Sequence, residues 1–343
     1  MKKITISLFV ILFAFMATPL RADQPKWMQY VKPSGSFQFG ATLEQNFDYS
    51  IYVRRARVAV SGTLIDDERY GKFEYLLRAN LLGTPGLLDG FFKYSFRDII
   101  GVQVGQYRTP ILLENTEVSS TTVEMIDYSL VTQRFCHFGS LDLAGISASG
   151  RDIGIQLFGK LFPIAEGHHL IAYNAGVFNG AGINKRDDDQ RKEYMGRVMI
   201  FPIKELCVSG SYVRAMGPHP AIAPEYNDYN WYVYDRYGGG LYYKSKYGWF
   251  RAEYMRGHTH GWLSHGAYGT LGYNINQHWD IGGRYDYFVT NVHNAFATTY
   301  HHFTGGFTWR PWTFFKLQVN YSYNMDPGVS PYHQALFQAT VVF

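Results

Sequence analysis

Apolar and polar side chains alternate one by one along most of this chain, in short runs that are separated by turns. Between Thr313 and Asn324, one face would carry Phe315, Leu317, Val319, Tyr321 and Tyr323, and the other Lys316, Gln318, Asn320, Ser322 and Asn324. Successive side chains of a strand point to opposite faces, so this period indicates strands with one apolar and one polar face. We predict sixteen of them, the first at Ser36–Phe47 and the last at His333–Phe343.

Alternation does not say which face points inward, but the lengths of the connections do. Connections that follow even-numbered strands are short, as at Asn276–Gln277 and Pro311–Trp312. Most connections that follow odd-numbered strands are longer, as at Asn179–Lys192, Met216–Asn230 and Gly257–Ser264. Short turns at one rim and long loops at the other are typical of bacterial outer-membrane barrels. We therefore predict an all-β fold, a transmembrane antiparallel β-barrel of about 16 strands with its apolar face toward lipid.

Aromatic residues make up 17% of the chain, and their positions favour a lipid-facing barrel. Near strand ends the sequence has Tyr226, Tyr229, Trp231, Tyr232, Tyr234, Tyr237, Tyr242, Tyr243, Tyr247 and Trp249. Amphipathic rings prefer the level of the lipid headgroups. The chain ends on Phe343, which resembles the terminal signature recognised by the barrel assembly machinery. The predicted partners are this machinery, outer-membrane lipid and lipopolysaccharide.

The first residues have the features of a secretory signal peptide. Lys2 and Lys3 precede an apolar run, and Leu20-Arg21-Ala22 is an acceptable cleavage site. We predict residues 1–22 as the signal peptide and residues 23–343 as the barrel, located in the bacterial outer membrane. Removal of Lys2, Lys3 and Arg21 lowers the formal charge from +4 to +1, so no basic surface for nucleic acid is indicated.

The stretch Arg108–Gly150 has neither a two-residue nor a helical period. A compact domain rarely has about forty unpatterned residues without a function for them. We predict that this stretch is a long loop that folds back into the barrel and constricts the pore. No nucleotide-binding loop is present to drive transport, so we expect passive diffusion without a cofactor.

Four motifs, in order along the chain, carry a family resemblance. They are Arg54-Arg55-Ala56-Arg57-Val58-Ala59-Val60-Ser61-Gly62, Val104-Gly105-Gln106-Tyr107-Arg108-Thr109-Pro110, Gly150-Arg151-Asp152-Ile153-Gly154-Ile155-Gln156 and Tyr173-Asn174-Ala175-Gly176-Val177-Phe178-Asn179-Gly180. Together they resemble the phosphate-selective porin O/P family, most closely in the first half of the mature chain. The resemblance implies a sixteen-stranded trimeric barrel, here a homotrimer, whose third external loop folds inward.

The candidate pore-lining and constriction residues are Arg55, Arg57, Arg108, Glu114, Glu117, Arg134, Arg151 and Asp152. Arg55 and Arg57 would share the polar face of one strand. Guanidinium groups along a narrow lumen attract anions, but they could equally pair with loop carboxylates and fix the loop to the wall. The loop has no lysine and is rich in carboxylates, unlike phosphate-specific family members. This departure favours a general diffusion pore, or mild ion preference, over a phosphate-specific site.

Several alternatives remain open at this point. Aromatic faces along the lumen would indicate a sugar-selective porin, and a one-residue shift of register would create them. An outer-membrane hydrolase is a candidate of another class, but the sequence has no G-x-S-x-G motif, so we predict a channel rather than an enzyme. A metal site at His258, His260 and His265 or at Asp187–Asp189 is less favoured than solvated loops, and Cys136 and Cys207 are predicted not to pair.

Overall fold

The computed structural model describes residues 26–45, 48–83, 86–164, 167–187, 191–217, 232–259, 262–290 and 297–343. The predicted signal peptide lies outside these ranges. So do His260, Asp188 and Asp189 of the candidate metal sites, and Tyr226, Tyr229 and Trp231 of the aromatic stretch. Within the ranges, no helix has the length and apolar character needed to cross a membrane.

The described residues form one closed antiparallel barrel of sixteen strands, which confirms the predicted fold class. The strands are β1 (Lys32–Glu44), β2 (Tyr49–Asp67), β3 (Gly71–Asn80), β4 (Gly86–Phe96), β5 (Ile100–Arg108), β6 (Arg151–Ile164), β7 (His168–Phe178), β8 (Glu193–Ile203), β9 (Leu206–Gly217), β10 (Tyr232–Lys244), β11 (Gly248–Thr259), β12 (Trp262–Asn274), β13 (Trp279–Thr290), β14 (Thr298–Trp312), β15 (Phe315–Met325) and β16 (Tyr332–Val342). Each pairs with its sequence neighbours, and β1 pairs with β16.

The apolar face of the strands points outward. In β15, Gln318 and Asn320 are buried inside the barrel, whereas Tyr321 on the opposite face is 54% exposed. The outer face of other strands presents exposed apolar side chains in the same way, for example Phe92 and Ile155. An exposed apolar exterior around a polar interior is the arrangement of a barrel surrounded by lipid.

The barrel closes where the two ends of the chain meet. Ser36 of β1 lies opposite Val342 of β16, and the backbones of Gly35 and Phe343 exchange hydrogen bonds of 2.7 and 3.0 Å. The Phe343 ring lies over Gly35, where a Cβ atom would be only 2.4 Å from it. Among the described strands, closure leaves none at a sheet edge, where a row of backbone groups would have no partner in lipid.

Two local predictions are wrong. The connection predicted at Gly257–Ser264 is mostly strand, because β11 continues to Thr259 and β12 begins at Trp262. Glycine and histidine there looked like turn residues, yet Gly257 pairs with Ser264 in the ladder. Tyr234, expected at the headgroup level, is only 1% exposed and points into the barrel.

Residues 109–150, here called the inner loop, fold into the lumen. The inner loop contains two short helices, α1 (Leu113–Glu117) and α2 (Leu130–Phe135), and a 3₁₀ turn at Gly139–Leu141. The Ser129 side chain accepts a hydrogen bond from the Thr132 backbone and so caps α2. Most side chains of the inner loop are buried, although the segment lies between strands rather than within a sheet.

Candidate pore constriction

The inner loop packs against one side of the barrel through an apolar cluster. Val131 and Phe135 are fully buried among inward-facing side chains of the wall: Phe178, Met195, Val213, Ala215, Tyr234, Met255, Tyr268 and Phe288. The rings of Phe135 and Phe288 are 5.4 Å apart. The wall from β7 to β13 therefore has apolar residues at inward positions, and these fix the inner loop by burying its apolar side chains.

Wall carboxylates satisfy the first backbone N–H groups of both helices. Glu253 accepts hydrogen bonds from the backbone of Leu113 at 2.5 Å and of Glu114 at 2.9 Å, at the start of α1. Asp286 accepts one from the backbone of Leu130 at 2.9 Å, at the start of α2. Such N–H groups have no partner within a helix, so the wall completes helices that are too short to be stable alone.

A buried arginine of the wall pairs with two carboxylates of the inner loop. The Arg251 guanidinium lies 3.3 Å from Glu114 and 2.8 Å from Glu124. Burial alone would raise the pKa of Glu124, but Arg251 outweighs it and holds that pKa below its usual value. Glu114 also accepts hydrogen bonds from the backbone and hydroxyl of Ser129. Arg251 thus compensates one of the two negative charges, and Ser129 supplies neutral donors to Glu114.

His137 links the inner loop to β8. Its Nδ1 lies 3.1 Å from Asp142 and its Nε2 lies 3.2 Å from Glu193, and all three side chains are buried. Burial would lower the pKa of His137, but the two carboxylates reverse this and raise it to about 10. The imidazole is therefore charged at neutral pH and bridges two carboxylates. The Arg236 guanidinium lies 3.5 Å from Asp142 on the other side.

Residues 120–126 of the inner loop lie across the inside of the closure between β1 and β16. Gln38 of β1 donates to the Ser120 carbonyl at 2.7 Å. Gln318 of β15 donates to the Val123 carbonyl at 3.1 Å, and Asn320 accepts from the Ile126 backbone at 2.6 Å. The inner loop is thus bound on both sides of the barrel seam.

The opposite part of the lumen is open. A cavity of about 380 Å³ lies between the inner loop and the wall from β3 to β8. Its lining is Leu76, Arg78, Asp89, Phe91, Lys93, Gln103, Tyr107, Arg108, Pro110, Thr116, Glu117, Gln156, Asn174 and Arg197. Pro110, Thr116 and Glu117 come from the inner loop, so the loop and the wall together define this space.

Basic side chains dominate the cavity. Of the lining residues, Arg78, Lys93, Arg108 and Arg197 are basic, whereas Asp89 and Glu117 are acidic. Asp89 accepts from Arg78 at 2.8 Å and from both sides of the Arg151 guanidinium, at 2.8 and 3.2 Å. Two arginines therefore share one carboxylate.

Two arginines of β2, Arg54 and Arg57, contact residues 120–127 of the inner loop. A β-bulge pairs Gln38 with Arg55 and Phe39 with Val53, so Arg54 has no partner across the ladder. Arg54 consequently points inward beside Arg55 and pairs with Asp127 of the inner loop. Arg57 donates to the Ser120 hydroxyl at 2.8 Å.

Three of the predicted arginines, Arg57 just described and also Arg55 and Arg108, donate hydrogen bonds to neutral oxygens. Arg55 donates to Gln38 at 2.9 Å. Arg108 donates to the Asn115 carbonyl at 2.5 Å and to the Tyr128 hydroxyl at 3.0 Å. Hydrogen bonds of this kind orient a guanidinium group without cancelling its charge.

The other predicted site residues divide between the cavity and the packed side. Glu117 lines the cavity and lies 2.9 Å from Arg197, and Arg151 lies beside Asp89. Glu114 is buried against Arg251, and the Arg134 guanidinium stacks over the Tyr300 ring at 4.4 Å. Asp152 accepts from the Gly180 backbone at 2.5 Å, which ties it to the next external loop. Glu114, Arg134 and Asp152 are not among the residues that line the cavity.

Sequence reasoning missed Arg78, Asp89, Lys93 and Arg197 as cavity residues. Each occupies an inward position of a correctly predicted strand, so the alternation contained the signal for their direction. What the sequence lacked was any indication of which part of the wall the inner loop leaves uncovered.

The remaining candidates are the metal sites and the two cysteines, as far as the described residues include them. In those residues, no group of three or more His, Cys, Asp or Glu side chains is arranged so that it could hold a metal ion. Cys136 and Cys207 are free, buried thiols that belong to separate apolar clusters.

Comparison with known proteins gives a fold but no family. Neither protein-family models nor curated protein sequences match this chain. Solved structures do match. An anion-selective porin from Comamonas acidovorans is 12% identical with a TM-score of 0.70, over 91% of this chain and 99% of that one. OmpF of Salmonella typhi is 10% identical with a TM-score of 0.70, over 91% and 97%.

A further similar structure is OmpT, an outer membrane protein of Vibrio cholerae in a trimer form, which is 11% identical with a TM-score of 0.64 over 91% of this chain and 99% of that one. The chain therefore has the sixteen-stranded barrel fold of outer-membrane porins. At these identities the likeness concerns the fold alone.

Proposed function

We propose that this protein is an outer-membrane porin through which small hydrophilic solutes diffuse passively, with a preference for anions. The observation that carries the proposal is the separation of charge inside the lumen. The cavity that the inner loop leaves open has four basic and two acidic side chains in its lining, and Arg151 lies beside one of the acidic ones, Asp89.

The acidic residues of the inner loop oppose this preference less than their number suggests, because several of them pair with basic residues. Arg251 pairs with both Glu114 and Glu124 and compensates one of their two charges, and His137 and Arg236 pair with Asp142, all on the packed side. Low-dielectric walls focus the field of the remaining charges into a narrow lumen, so uncompensated arginines attract anions there.

The finer assignment to phosphate-selective porins remains a hypothesis. It rests on the four motifs, and the inner loop lacks the lysines expected of phosphate-specific members. The basic groups here are arginines, which bind oxyanions through paired N–H donors. Strong block of the current by phosphate would support that finer assignment.

The setting of the channel is part of the proposal. The apolar exterior suits the outer membrane, residues 1–22 suit export as a cleaved signal peptide, and Phe343 suits recognition by the barrel assembly machinery. A homotrimer is supported by the similarity to a protein whose structure is described as a trimer form.

The test is the reversal potential of the purified protein in a planar bilayer under a potassium chloride gradient. We expect conductance steps and a reversal potential of the sign for chloride preference. Arg108→Gln should move the reversal potential toward zero. Arg214→Gln is the matched control, since Arg214 lies on the outer face beside Asp235 with 60% of its side chain exposed.

Three results would contradict the proposal in different ways. Absence of conductance steps would refute the channel and favour an outer-membrane hydrolase. Cation preference would refute the anion preference alone. Block by neutral oligosaccharides at low concentration, with no ion preference, would favour a sugar-selective porin.

A further inference from the structure

The polar inner face of the wall is interrupted by an apolar pair inside the cavity. Leu76 of β3 and Phe91 of β4 lie directly opposite each other. In the same register, Arg78 faces Asp89 on one side of this pair, and Glu74 faces Lys93 on the other. Both apolar side chains line the cavity, and both are only partly buried.

Packing explains only part of this apolar patch. The Phe91 ring meets the Tyr107 ring edge-on, with centroids 5.8 Å apart, and Tyr107 in turn contacts Phe178 of the apolar cluster. Phe91 thus has one side against the cluster and also lines the cavity, as does Pro110 of the inner loop. Apolar surface that faces water in a narrow space favours a ligand with an apolar part.

Charged groups surround the patch at short range. Arg78 and Lys93 are each two residues from a member of the pair, and Arg108 and Arg197 line the same cavity. The Lys93 ammonium lies 4.8 Å from the centre of the Phe158 ring, so even this cation is held against an aromatic face. An anion that also has an apolar body would meet both kinds of surface at once.

We propose that the cavity is a binding site for organic anions, namely carboxylates with an aromatic or bulky apolar body, which are held there during passage. The carboxylate would contact the basic residues, and the apolar body would cover Leu76 and Phe91. Inorganic anions and acetate lack that body and would pass without being retained. This inference rests on the proposed function and specifies its solute class.

The experiment compares benzoate with acetate as blockers of the chloride current at pH 7, where both are anions. In the wild-type protein we expect benzoate to halve the single-channel current at a concentration about tenfold lower than acetate does, because a buried ring adds hydrophobic binding. The wild-type comparison requires no variant and therefore does not depend on the folding of one.

Two variants test the location of the site. Leu76→Asn and Phe91→Asn should each reduce the preference for benzoate over acetate several-fold, because each removes apolar surface but no charge. Lys93→Gln should weaken the block by both carboxylates together, because it removes charge but no apolar surface.

The outcomes separate this inference from the proposed function. A channel with anion preference that responds equally to benzoate and acetate would refute the organic-anion site and leave the porin intact. Benzoate preference that persists in a folded Leu76→Asn protein would also refute the site. Absence of chloride conductance in the wild-type protein would refute the proposed function itself.

Discussion

The two halves of the lumen wall have the same alternation in sequence but different surroundings. From β7 to β13, and on to β15, inward side chains bind the inner loop: apolar ones pack against Phe135, and charged ones pair with its carboxylates. From β2 to β6, inward side chains such as Arg57 and Lys93 face the inner loop's edge or the cavity, and Arg197 of β8 does both, since it pairs with Glu117 and lines the cavity. An inward position therefore has no fixed role. Whether its side chain binds the inner loop or lines the cavity depends on where the inner loop packs.

This difference also explains how an acidic loop can leave a basic passage. Carboxylates of the inner loop form ion pairs with Arg251, His137 and Arg197. Counting charges along the loop sequence treats all of them as pore charges, which overestimates the negative field.

The largest effect is expected for Arg251→Gln. It leaves the buried carboxylates of Glu114 and Glu124 without their partner, and removal of one member of a buried ion pair costs about 3–5 kcal/mol. We expect the inner loop to detach, with higher and noisier single-channel conductance. Arg251→Lys keeps the charge and should restore part of the wild-type behaviour, whereas equal effects of both substitutions would contradict the ion-pair explanation.

Phe135→Ala tests the apolar contact in the same half. Truncation of a fully buried phenylalanine costs about 3 kcal/mol through lost burial and the cavity left behind. Thermal denaturation in detergent should occur at a lower temperature, and conductance should rise. Phe92→Ala is the control, because Phe92 is 58% exposed on the outer face. Equal destabilisation by both would show that the inner loop is not held by this cluster.

The pH dependence of the inner loop should follow His137. The pKa of His137 is raised to about 10 in the folded protein, above its ordinary value, so its stabilisation is complete below about pH 6.5 and declines as pH rises toward 10. A rise of the pKa from 6.5 to about 10 corresponds to on the order of 5 kcal/mol, and we expect stability to fall by up to that amount across the window. His137→Gln should remove this dependence, measured as melting temperature against pH. An unchanged profile would show that another group titrates.

The smallest effect concerns the open half. Arg57→Gln removes one of several charges near the cavity without changing the packed side, so the ratio of anion to cation permeability should fall about twofold. Melting temperature should remain that of the wild type. The permeability ratio is measured from reversal potentials at low salt, where screening is weak. A full reversal of preference would mean that Arg57 dominates the field.

The sequence predicted the fold much better than the site. Strict alternation, as in β15, located the sixteen strands and the direction of their side chains. The bulge at Arg54 was missed because one extra residue breaks the period without a residue-type signal. The bonds of the inner loop were missed because Glu253 and Asp286 look like any other polar residue of a strand. Their role depends on contacts across the lumen, which local pattern does not encode.

The strap formed by residues 120–126 also has a consequence for how the barrel forms. Gln38 and Thr340, neighbours across the seam, are 302 residues apart, which is a closure of very high contact order. Residues 120–126 replace this single closure by two shorter ones. Gln38 bonds to Ser120 across 82 residues, and Gln318 bonds to Val123 across 195 residues. Each shorter closure loses less chain entropy. We therefore expect the inner loop to act during assembly as an internal clasp, which holds the two edges together before the last strand pairs.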